Sequence, residues 1–209
     1  MSSASSKTSF LSRVLGFFTF QKATIKEVTE SSSASIQAFF LIILDILITV
    51  IFRTFAYSQN QDNSLLGLGA LFLKTPTNSS DLSTLLNGFL SALLSTLLLT
   101  FFLAIIMAFA ANNLGGKVSS MEGIRIIAFS TPILIIGSIL IYLTALLNIN
   151  GIGWLYFVFL IWYILIFFIA FKIGSDLSFV KTFLALLLSI ILAIVILEVI
   201  FYVLVLFYP

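Results

Sequence analysis

The chain has 209 residues, 61% hydrophobic and 9% charged, with a mean hydropathy of +1.23 and a formal net charge of +2. A soluble domain carries about a quarter charged residues, so this composition excludes one and places the chain in the membrane class. With no cysteine and no histidine, disulfide frameworks, cysteine nucleophiles, Ser-His-Asp triads and the usual zinc sites are excluded together. The small net charge leaves no footprint for nucleic acid, and no cofactor motif is present.

Residues 1–9 are Ser-rich with Lys7 as their one charge, and read as a disordered tail with almost nothing to bury. Residues 10–34 read as a cytosolic or interfacial helical segment. Phe10, Leu11, Val14, Leu15 and Phe18 recur at helical spacing, with Ser12, Arg13 and Thr19 elsewhere on the wheel. Such a helix is too short to span. It suits the membrane interface, with its aromatic face in lipid and basic residues towards headgroups, or else packs on the cytosolic end of a bundle. Thr24 to Glu30 is a second short helix candidate.

Residues 35–209 read as a single membrane domain, an all-α bundle of five transmembrane helices at about 36–57, 86–111, 126–147, 154–171 and 183–207. Each approaches the ~20 residues that cross a ~30 Å hydrocarbon core. The only long connection, Ser58 to Leu85, holds a short apolar piece (Leu65 to Leu73), a glycosylation sequon at Asn78 and a helix cap at Asp81. In the second span Gly88, Ala92 and Ser95, then Ala104, Ala108 and Ala111, form a small-residue seam that admits another helix closely; Ala185, Ser189 and Ala193 do the same in the fifth. Asn148 to Gly153 is a tight turn, and Lys172 to Lys181 a short polar loop.

Polar turn chemistry, a helix start and a proline coincide between the second and third spans. Gly115 and Gly116 break the preceding helix. Ser119 and Glu122 have capping-box spacing, which starts a new helix by satisfying its free amides. Lys117 and Arg125 add positive charge, and Pro132, roughly a dozen residues on, removes a backbone bond and predicts a kink.

Basic residues set the orientation. Lys7, Arg13, Lys22, Lys26, Lys117, Arg125, Lys172 and Lys181 fall on the N-terminal side, and only Arg53 and Lys74 on the other. That bias predicts a cytosolic N-terminus and a C-terminus outside or in a lumen. Gly115, Gly116, Lys117, Glu122 and Arg125 then become a candidate cytosolic contact face.

Ionisable groups inside the membrane are costly unless paired. Counted from the start of their spans at 1.5 Å per residue, Arg53 lies ~25 Å in and Glu198 ~22 Å in, so the two are expected to pair. Asp45, ~14 Å in, has no base at its depth and is an orphan acid. A small transporter, channel or lipid-handling protein built on Asp45 and the Pro132 kink is the alternative to an interaction protein. Against it, only one proline interrupts one span and no internal repeat is visible.

Five spans, an N-terminal cytosolic segment, and the residues Asn113-Leu-Gly-Gly-Lys117, Glu122, Arg125 and Ala128-Phe-Ser-Thr-Pro132 resemble the Yip family, and Phe17 to Val28 resembles its segment before the first span. The chain looks most like a prokaryotic-type member. Eukaryotic members interact with Ypt/Rab GTPases. The resemblance therefore implies a non-enzymatic multi-pass membrane protein acting through protein–protein interaction in membrane organisation or trafficking-like processes. It implies partners among small-GTPase-type or other membrane proteins, besides the lipid bilayer, with self-association through the small-residue seams.

Overall fold

The computed structural model describes residues 9–58, 82–146 and 154–207. The expected features at residues 1–8, Leu65 to Leu73, Asn78, Asp81 and Asn148 to Gly153 lie outside them. Eight helices occur among the described residues: α1 (Phe10–Phe18), α2 (Lys22–Glu30), α3 (Ser33–Ser58), α4 (Leu82–Asn113), α5 (Ser120–Ser130), α6 (Pro132–Leu146), α7 (Trp154–Ser175) and α8 (Phe179–Phe207).

Five stretches are long and apolar enough to cross a membrane: Ser33–Ile51, Leu86–Asn113, Ser120–Leu140, Phe157–Ser175 and Phe179–Tyr202. The chain is an integral, multi-pass membrane protein. The helices run further than their apolar cores because nothing in the flanking residues stops them. The connection expected from Lys172 to Lys181 accordingly shrinks to Asp176–Ser178. Asp176 takes a positive φ of 54° there and Ser178 caps the amide of Lys181.

The core gathers around α5, which packs on α4, α3, α7, α2 and α1. A Cβ on Gly123 would come within 3.2 Å of Ala104, so the α5 backbone lies against α4. Ala92, Ala108 and Ala111 are buried too, and α8, whose buried face includes Ala185, Ser189 and Ala193, packs chiefly on α4. These small residues of α4 and α8 are therefore filled by helices of the same chain. The seam of α4 stays open at its other end, where Ser95 is exposed and a Cβ on Gly88 would meet nothing within 4 Å.

The third span is two helices. Pro132 cannot supply the amide that the Ala128 carbonyl would ordinarily accept from. Thr131 substitutes for it twice, donating from its amide at 3.2 Å and from its hydroxyl at 2.8 Å. Ser130 donates in the same way to Ile126, at 2.7 Å. α5 thus ends at Ser130, and Pro132 opens α6 at a position where a missing amide costs nothing.

Candidate functional site

The Asn112–Ser119 connection is built from local chemistry. Gly115 is left-handed (φ 88°), and the Gly116 amide donates back to Ala111 at 2.9 Å, closing α4 with its last carbonyls satisfied. The Asn112 side chain then clamps the loop, donating to the Val118 carbonyl at 3.1 Å and accepting from the Val118 amide at 3.0 Å. The Lys117 amide donates to the Ser175 carbonyl at 3.1 Å, fastening the loop to the end of α7. A Cβ on Gly116 would approach that carbonyl to 2.9 Å, so glycine is required there by contact. Ser119 and Glu122 form the reciprocal capping box that starts α5: Glu122 Oε2 accepts from the Ser119 amide at 2.6 Å and Ser119 Oγ from the Glu122 amide at 3.3 Å.

Two buried arginines hold α1 and α2 against this end of the bundle. Arg13, 3% exposed, donates through Nη2 at 2.9 Å and Nε at 3.2 Å to Glu27, through Nη1 at 2.8 Å to Gln37, and through Nη2 at 3.3 Å to Ser33. Arg125 donates to Ser35 Oγ at 2.9 Å and to the Thr29 carbonyl. Together they grip the α2–α3 junction from both sides. The aromatic side of α1 packs inwards as well, with Phe17 against Phe129 at 5.3 Å and Phe10 against Phe40 at 5.9 Å.

These contacts correct two expectations. Arg13 does not point to headgroups and the phenylalanines of α1 do not form its lipid face, because Glu27 and Phe129 offer them protein partners instead. Arg125, expected on a contact face, is turned inwards. Of the other four residues of that face, Gly115 and Lys117 are exposed and Gly116 and Glu122 half-buried. Glu27 and Gln37 were not singled out by sequence reasoning, and Arg13 was read only as a headgroup contact. The available signal was that Arg13 shares one helical face with Phe10 and Phe17, at spacings of three and four residues.

Within the membrane, Asp45 is half-buried on α3, within electrostatic range of Tyr163 on α7. Glu198 is exposed on α8, and the side chain of Arg53, its expected partner, lies outside those described. At the opposite end, Lys181 joins Lys117: a Cβ on Gly115 would sit 3.7 Å from Lys181 Nζ, so that ammonium group lies over the glycine turn. The turn and the two lysines form an exposed basic patch on a braced loop.

No curated protein and no solved structure matches this chain. The family model of the Yip1 domain matches residues 15–200, which take in α2 to α7, the glycine turn, both halves of the broken third span, the last turn of α1 and most of α8. With a match over nearly its whole length, the chain belongs to the Yip1 domain family.

Proposed function

We propose that this protein is a membrane-embedded adaptor, acting by binding other proteins at the end that carries α1, α2 and the glycine turn, and not by catalysis. The observation behind this reading is the exposed patch of Gly115, Lys117 and Lys181 on a loop braced by Asn112 and Ser175. A pre-ordered loop binds without a large ordering cost. Its two ammonium groups suit an acidic protein surface, which complements them in charge and raises the rate of encounter. The excess of basic residues here supports a cytosolic position for this end, with the C-terminus on the other side. Small GTPase-type proteins and other membrane proteins of trafficking-like systems are the proposed partner class, on the strength of the family.

Cross-linking and co-purification from native membranes test this reading. The double variant Lys117→Glu/Lys181→Glu changes two exposed side chains and is expected to fold normally while losing its partners. An unchanged partner set would overturn the reading. Arg125 is unsuitable for this test, since altering it would disturb α2 and α3 directly.

A further inference from the structure

α1 does not cap the bundle; it crosses it some way down. Its ring contacts give a ruler. Phe10 meets Phe40, Phe17 meets Phe129, and Phe20, just past α1, meets Trp162 at 5.2 Å. At 1.5 Å per residue these partners lie ~10 Å, ~14 Å and ~20 Å along their helices from Ser33, Ser120 and Ser175. α2 then climbs back, since its Thr29 lies against Gly174 near the end of α7.

Helix lengths leave room for such a level. α3, α4 and α8 have 26, 32 and 29 residues, or ~39, ~48 and ~44 Å. A ~30 Å hydrocarbon core leaves ~9–18 Å of surplus to share between the two ends. Charge agrees too. Among the described side chains, every charged residue except Asp45 and Glu198 lies on α1 or on the α2 side of it.

The wheel of α1 supplies the final piece. Arg13 and Gly16 face α2, through Glu27 and through Thr24, whose side chain lies 2.5 Å from where a Cβ on Gly16 would be. At 100° per residue Leu11 and Phe18 point the opposite way, away from α2. Leu11 and its neighbour Leu15 are 65% and 55% exposed, while Ser12 and Thr19 occupy the outer edge.

We propose that α1 lies in the plane of one leaflet at the headgroup–acyl boundary, with Leu11 and Leu15 in lipid, and that the helix ends above it stand out in water. The partner of this face is the lipid surface of the protein's own membrane. Because α1 is bolted to the bundle by Arg13, Phe10 and Phe17, it adds area to one leaflet only. An in-plane helix of this kind binds best where headgroups are spread by curvature. The protein therefore favours convex membrane on the α1 side. This reading concerns α1 alone and is independent of the Lys117 patch.

The absence of cysteine permits single nitroxide labels on the full chain in lipid vesicles. With Leu11→Cys and Leu15→Cys, dissolved oxygen is expected to relax the label more than a water-soluble nickel chelate does. With Lys26→Cys the order reverses. Nickel access at positions 11 and 15 equal to that at 26 would overturn the placement, as would a label at 26 as protected as one at Leu47 in the first span. For the curvature preference, wild type reconstituted into mixed vesicles is expected to be enriched several-fold in the smallest, and Leu11→Ser/Leu15→Ser to lose that enrichment. Equal distributions of the two proteins would overturn it.

Discussion

α5 and the α7–α8 pair are held by different physics. Around α5, side chains bury one another: 67% of the most apolar window in Ser120–Leu140 is inside the protein. In the spans of α7 and α8 the share is 17%. There the apolar side chains face outwards on most sides, among them Trp154, Ile161, Ile190 and Phe201. Lipid can cover those residues as well as protein does, so burial alone gives no reason for these helices to choose particular neighbours. The choice is made around α5, where arginine forks, a glycine turn and a capping box admit one arrangement. Geometry is specified by the polar minority of the sequence, and the apolar majority supplies the solvent match.

Substitutions should reveal that contrast, beginning in the tightly tied region. Arg13→Ala leaves Glu27 and Gln37 without their shared donor. It is expected to lower stability in detergent by about 3 kcal/mol, discounted for the part-exposure of Glu27. Thermal unfolding should report the loss, and proteolysis should open first near Gln21, between α1 and α2. Full retention of protection there would break the comparison. Gly116→Ala drives a methyl group to within 2.9 Å of the Ser175 carbonyl and 3.0 Å of Leu177. The loop must shift, at an expected cost of about 1–3 kcal/mol, visible as faster amide exchange at Lys117. The smallest effect is expected from Ile190→Ala on the outer face of α8, within about 0.5 kcal/mol despite the loss of a large side chain. A loss as large as that of Arg13→Ala would mean that α8 has a protein partner in the membrane.

The sequence was most informative where the chemistry is local. Gly115-Gly116 and the Ser119–Glu122 box act within a few residues of themselves, and the five long apolar runs state their length directly. The arginines were not legible in this way. Arg13 finds Glu27 and Gln37 fourteen and twenty-four residues away, and Arg125 finds Ser35 ninety residues away. A charge beside a turn reads as surface until its distant acceptors are known. The seams of α4 and α8 were legible as close-packing surfaces, but not the identity of their occupant: nothing in the spacing of alanines distinguishes a helix of the same chain from one of another.

The paired donation from Thr131 to the Ala128 carbonyl has a mechanical consequence. An unbroken helix from Ser120 to Leu146 would be a stiff shaft, and a twist applied at the glycine turn would reach its far end. Here Thr131 bonds to both halves: besides donating to Ala128, its carbonyl accepts from the amides of Leu134 and Ile135, at 2.8 and 3.1 Å. α3 and α7 pack on both halves, whereas α1, α2 and α4 pack on α5. Thr131 is a hydrogen-bonded joint in the third span, and α3 and α7, which flank it on both sides, tie the two halves together.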